Sequence, residues 1–220
     1  MLRLLFEKKG TSVWISHLEL MRLFQRSFKR AGLLLKHTQG YNPRPSVSIA
    51  LPLSVGVESC CELLEFEIEN VEKISCDSIK ARLNETLTDG VRVLDVYEAG
   101  KKYRELAYLQ CKIELVYDNG VPSGAQASIS HLFKMEEIIL PKKTKNGMQE
   151  QDIVPMIKML DVSQVGENQL EIDCVICCQN PTLNPAQLTL AINTLLPEYA
   201  PDFSKCCRVE IFDHNNIVFR

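Results

Sequence analysis

Between Ser16 and Arg44 the chain gathers residue types that handle anions. Ser16-His17-Leu18-Glu19 comes first, Arg22, Arg26, Lys29 and Arg30 follow at steps of three and four, and Gly40-Tyr41-Asn42-Pro43-Arg44-Pro45 comes last. Such steps put the four cations on one stripe of a helix, and after Glu19 the helix carries no acid. Guanidinium groups engage phosphate oxygens bidentately, so the stripe suits phosphate neutralisation. The competing reading is a solvated helix face, which usually mixes both signs of charge.

The loop adds a second kind of contact. Pro43 and Pro45 constrain their own φ and bias Asn42 and Arg44 toward extended backbone. Gly40 opens conformations closed to other residues. A stiff loop of this kind displays Tyr41, Asn42 and Arg44: an aromatic, an amide and a guanidinium. Stacking, hydrogen bonding and charge are the means by which single-stranded RNA is recognised. The alternative is a rigid connector with Tyr41 packed in the core. His17, just inside the helix start, has the chemistry of a general acid or base. Its neighbourhood offers only Glu19 as a partner, and His37 further on. The expected role of His17 and Glu19 is therefore to order the helix start, with catalysis by His17 the minor alternative.

The nine cysteines (60, 61, 76, 111, 174, 177, 178, 206 and 207) include a CxxC at Cys174–Cys177. That pair sits in an alternating apolar run, which sends its two thiols to opposite faces of a strand. Zinc knuckles hold such pairs in turns. Buried, reduced thiols are expected, with no metal site and no cofactor. There is no Gly-rich phosphate loop, GxSxG, HExxH or CxxxCxxC.

These groups need elements to place them. Residues 2–7 read as a strand and Lys8-Lys9-Gly10 as its turn. Ser16 with Glu19 three residues on forms a capping box, and Leu20, Leu23, Phe24 and Ala31 carry the buried face of the helix. Gly32 suits its C-terminal cap. Strands follow at 46–51 and 63–69, a helix at 75–87 and a strand at 91–97. In the second half, strands are expected at 106–117, 136–141, 152–164 (interrupted by Pro155), 170–178 and 208–212, with helices at 123–133 and 185–195. The segment 142–150, with its central Asn146-Gly147, is a hairpin tip or a mobile loop. The expected fold class is α+β: two tandem ferredoxin-like βαββαβ units, residues 1–100 with the basic helix and GYNPRP loop, and residues 101–220. In the first unit, helix and loop are expected to converge at one end of the sheet.

At 220 residues with 45% apolar and 24% charged side chains, the chain is globular rather than disordered. No apolar run is long enough to cross a membrane, and Met1–Glu7 is charged too early for a secretory leader. A cytoplasmic protein is expected. The formal charge of −3 is unevenly spread: residues 1–50 carry +7 and the rest −10. A basic N-terminal face on an acidic chain can meet phosphates while the whole stays soluble.

The stretch Ser16–Glu62 resembles the radical SAM-linked proteins, a family of unknown function that occurs free-standing or fused after a radical SAM domain. The residues that carry the resemblance are Ser16, His17, Leu18, Glu19, Arg22, Arg26, Lys29, Arg30, Ala31 and Gly32. Gly40, Tyr41, Asn42, Pro43 and Pro45 continue it, followed by Pro52, Leu53, Gly56, Ser59 and Glu62. That family commonly has Asp at the position of Glu19 and His at that of Arg44. The resemblance implies a radical SAM protein as partner and RNA modification or processing as the setting. By architecture alone, tandem ferredoxin-like units with a basic helix resemble CRISPR repeat-processing endoribonucleases and tRNA pseudouridine synthases; the catalytic Asp of the latter has no obvious counterpart here.

The expected function is an RNA-binding accessory protein, more a binder than an enzyme, that holds tRNA or rRNA for a radical SAM modification enzyme. Arg22, Arg26 and Arg30 would hold phosphates, Tyr41 would stack, and Asn42 and Arg44 would read or clamp. The alternatives are a metal-independent endoribonuclease with His17 as base, an adaptor that meets an acidic protein without RNA, and a site for a small anion such as a nucleotide.

Overall fold

In the computed structural model, which describes residues 1–69, 74–144 and 147–220, the chain is mixed α+β and divides into two units. The first comprises Met1–Glu105 with Arg220, and the second Leu106–Phe219.

The first unit runs β1 (Leu2–Lys8), α1 (His17–Arg30), β2 (Val47–Ile49), β3 (Glu58–Phe66), α2 (Cys76–Asn84) and β4 (Val91–Glu98). β1 lies between β4 and β3, β2 pairs with β3, and all these pairings are antiparallel. Leu2, Leu4 and Phe6 alternate onto one face of β1 and meet Leu20, Phe24 and Phe28 of α1, with Leu64, Phe66, Ile79, Leu83 and Val93 completing the core. The i, i+4 spacing of the three α1 residues makes that stripe. Leu23 is only partly buried. Phe6 and Phe24 meet edge to face at 4.8 Å between ring centroids.

Two charged residues of β1 depart from expectation. Lys8, read from sequence as part of a turn, ends the strand and is fully buried. Its Nζ donates to the carbonyls of Val13 (3.1 Å) and Ile15 (2.9 Å). Arg3 is also fully buried: its guanidinium donates to Glu65 and to the Lys101 carbonyl and lies over the Tyr103 ring. Local hydrogen bonding offsets the desolvation cost of both cations.

A 3-10 turn at Gly10–Trp14 links β1 to α1 and is fastened to the start of β4. Lys9 N–H donates to Gly90 O at 2.7 Å, and Ser12 Oγ donates to Asp89 O at 2.6 Å. Gly90 has φ +82°, and a Cβ there would sit 2.4 Å from the Lys9 carbonyl oxygen and 3.0 Å from Ser12. Gly90→Ala is therefore expected to destabilise the protein by at least about 2 kcal/mol. The readout is a lower urea midpoint at unchanged m value; an unshifted midpoint would mean that the turn yields without cost.

The second unit runs β5 (Leu106–Val116), α3 (Ala125–Leu132), β6 (Ile139–Thr144), β7 (Gly147–Asp152), β8 (Ile157–Gly166), β9 (Gln169–Cys177), α4 (Ala186–Leu195) and β10 (Phe203–Asp213). The antiparallel order is β10-β5-β9-β8, and β6 and β7 form a separate two-stranded ribbon. The expected strand at 152–164 is thus divided. Asp152 closes the ribbon by accepting from Ile138 N and Val154 N, Pro155 sits in a 3-10 turn, and β8 starts only at Ile157. Of the expected Asn146-Gly147 turn, Asn146 lies outside the described residues.

All nine cysteines are free, and five of them (61, 111, 174, 177 and 178) are buried. Burial pushes the Cys174 and Cys178 thiols up to about 12, which keeps them protonated and unreactive at neutral pH. Cys174 shares its strand face with Leu170, Ile172 and Ile176, while Cys177 is out of phase with them. No helix among the described residues is long and apolar enough to cross a membrane.

Candidate RNA-binding surface

The surface is built outward from α1. Ser16 has extended backbone and its Oγ accepts from Glu19 N–H at 3.3 Å, while the Glu19 carboxylate accepts from Ser16 N–H (3.0 Å) and Oγ (2.7 Å). The expected capping box is present. These bonds from Ser16 hold the Glu19 carboxyl below its usual range. A carboxyl depressed on folding stabilises above its unfolded pKa, so this contribution is lost as pH falls through the folded value.

His17 occupies the first helical position, half buried, with Nδ1 sequestered and without a hydrogen-bond partner among the described residues. Glu19, its only acidic neighbour in sequence, is taken up by Ser16. A general base needs a group to orient it, and Glu19 is not placed to do so.

The cations divide. Arg22, Arg26 and Lys29 are exposed, and their side chains make no hydrogen bond or ion pair among the described residues. Arg30 instead donates to Thr86 O at 2.7 Å and Ser27 Oγ at 3.2 Å, and Ser27 and Thr86 exchange further bonds. It ties the end of α1 to the segment after α2, so Arg30 is first a structural residue.

Beyond α1 the chain turns at Gly32 (φ +65°) and runs extended beside the end of β3, with Lys36 N–H on Glu67 O. The GYNPRP loop is the tip of a narrow excursion closed across its base. His37 bridges Pro45, Thr38 N–H donates to Arg44 O at 2.8 Å, Arg44 N–H donates to Thr38 Oγ1 at 3.1 Å, and Ser46 N–H donates to Lys36 O at 2.7 Å. Tyr41 is fully exposed, which removes the reading that packs it in the core. Asn42 and Arg44 are exposed too. The loop follows the C-terminal end of α1 in the chain, whereas His17 and Glu19 stand at the helix start, a helix length of roughly 20 Å from its end.

A different segment meets the helix start. Gly56 N–H donates to Val13 O at 2.9 Å, and Glu58 Oε1 accepts from Gly10 N–H at 3.0 Å. This brings Pro52–Gly56 beside the turn that precedes Ser16. Trp14, absent from the sequence-based site, stands here with its ring against Gly56 and is 70% exposed; Leu18 and Val55 are also exposed. The available signal was a lone tryptophan two residues before a helix cap. Ser59 and Glu62, by contrast, are buried in β3. Among the described residues, no group of three or more His, Cys, Asp or Glu side chains is placed to hold a metal ion.

Comparison with solved structures shows likeness of fold. A chain of a Cbf5-Nop10-Gar1 complex matches with a TM-score of 0.53 at 11% identity, over 96% of this chain and 48% of that one. The protein thus spans about half the length of that chain. A protein from Galdieria sulphuraria, titled as unknown, aligns over 94% of this chain and 97% of its own at 10% identity, with a TM-score of only 0.27. No curated protein matches the sequence. A family model matches residues 1–185, which takes in all of α1, the loop and the Pro52–Gly56 segment, and the chain belongs to that family, described as an uncharacterized protein conserved in bacteria (DUF2344).

Proposed function

We propose that the protein binds RNA along α1 and the GYNPRP loop and holds it, in the cytoplasm, for a radical SAM modification enzyme. The observation that carries the binding reading is the exposed line of Arg22, Arg26 and Lys29, unpaired among the described residues, on the helix that leads in the chain to the loop bearing Tyr41, Asn42 and Arg44. Cations held in ion pairs would have little to offer a phosphate; these are available. The radical SAM partner rests on the resemblance of Ser16–Glu62. Each unit is read as ferredoxin-like, supported by the antiparallel orders β4-β1-β3-β2 and β10-β5-β9-β8, with β6–β7 inserted in the second. Fold alone does not carry a function; the charged surface does.

A filter-binding titration against tRNA and rRNA fragments tests the reading. Binding is expected to weaken steeply with salt, as counterion release requires. Absence of binding, or binding indifferent to salt, overturns it. The nuclease alternative would use His17, whose Nδ1 has no hydrogen-bond partner among the described residues to orient it. Incubation with RNA in EDTA separates the two: a binder leaves the RNA intact, while a nuclease cuts it and His17→Ala does not.

A further inference from the structure

Three features come together near the helix start. Trp14 is the only tryptophan of the chain and leaves 70% of its surface to solvent. The backbone on both sides of it is held by the same buried cation, since Lys8 Nζ donates to the carbonyls of Val13 and Ile15. The Cζ3 edge of the ring lies close to Gly56, 3.9 Å from where a Cβ would stand, and Gly56 N–H is bonded to Val13 O. A side chain exposed by accident needs no such support. Burying an ammonium group is costly, and here two of its hydrogen bonds go to the residues flanking an exposed indole.

Other exposed side chains lie in the same stretches of chain. Leu18 follows at the start of α1, 69% exposed, and Val55 stands in the facing segment, 51% exposed. At steps of four from Leu18 come Arg22 and Arg26, so the apolar patch runs into the cationic line on one helix face. A flat aromatic at the head of a row of exposed guanidinium groups is the arrangement that stacks a base while the backbone is neutralised beside it.

We propose that Trp14 is a stacking platform for an unpaired base, and that the RNA taken by this surface is single-stranded at the α1 start. This rests on the RNA-binding reading and narrows its substrate class. A base inside a duplex is stacked on both faces and cannot lie on the indole, so duplex RNA can use only the cationic line. Lys8 is then a positioning residue, holding Trp14 through the carbonyls on either side of it.

The test uses the whole chain and a labelled 12-nucleotide oligouridine, compared with the same length of duplex RNA. Because Trp14 is the sole indole, its emission reports the contact directly: saturable quenching by the single strand is expected, with little by the duplex. By anisotropy of the labelled strand, Trp14→Ala is expected to lose roughly ten-fold in affinity or more, with an unchanged salt slope, while Trp14→Phe keeps most of it. If Trp14→Ala binds the single strand as tightly as the unaltered chain, the platform is overturned while RNA binding stands. If neither RNA binds, the RNA reading itself fails, and the Trp14–Leu18–Val55 patch is a protein contact instead.

Discussion

Replacing Arg22, Arg26 and Arg44 together by alanine is expected to weaken single-stranded RNA binding about 100-fold at 0.1 M salt and to flatten the log–log salt dependence by about 2. Both figures follow from three phosphate contacts, each contributing about 0.7 to the slope on single strands. These three are chosen because they are exposed, which limits the effect on folding. A control comes from the fourth arginine. Arg30 donates to Thr86 O, so Arg30→Ala should lower stability more than it changes the salt slope. Equal slopes for the triple variant and the unaltered chain would remove the cationic line from the site, whatever the total affinity.

The second large effect concerns the scaffold. Phe24 is fully buried, meets Phe6 edge to face, and faces β1 across the core of the first unit. Phe24→Ala is expected to cost about 3–5 kcal/mol, the transfer loss of the ring together with the cavity left behind. Because α1 is held to the sheet through Leu20, Phe24 and Phe28, loosening the middle of that stripe should also loosen the cationic line on the opposite face. Urea unfolding measures the first effect, and the RNA titration below the unfolding transition measures the second. A cost under 1 kcal/mol would mean that the core closes around the loss. Leu195→Ala, at an exposed position of the second unit, should stay within about 0.5 kcal/mol of the unaltered chain.

Much of α1 was legible in the sequence because its signals are local. Ser16 and Glu19 face each other across three residues, and cap geometry is decided within that span. The apolar spacing marked the buried face, although Phe28 proved more central than Leu23. The alternation of Leu2, Leu4 and Phe6, and of Leu170, Ile172 and Cys174, marked strands for the same reason. The ribbon at 139–152 was less legible: Pro155 announced an interruption, but not that the segment before it forms a separate two-stranded ribbon.

The parts that escaped the sequence depend on contacts far along the chain. Lys8 and Arg3 read as surface charges because most such residues are. The return of Val13 and Ile15 over one, and of Glu65, Lys101 and Tyr103 over the other, supplies acceptors and cover that local sequence does not show. Arg30 belongs by spacing to the same stripe as Arg22 and Arg26, and it is Thr86, 56 residues away, that also gives it a structural bond.

By itself, then, the sequence determined most helices and strands, the sign of the α1 surface and the proline constraints on the GYNPRP loop, since charge, caps and proline act over a few residues. Tertiary structure decided which cations remain available, which end of α1 each motif occupies, and that Trp14 stands exposed on a braced turn. Those are questions of which chain segment passes beside another, and they are settled by packing and long-range hydrogen bonds that local pattern does not encode.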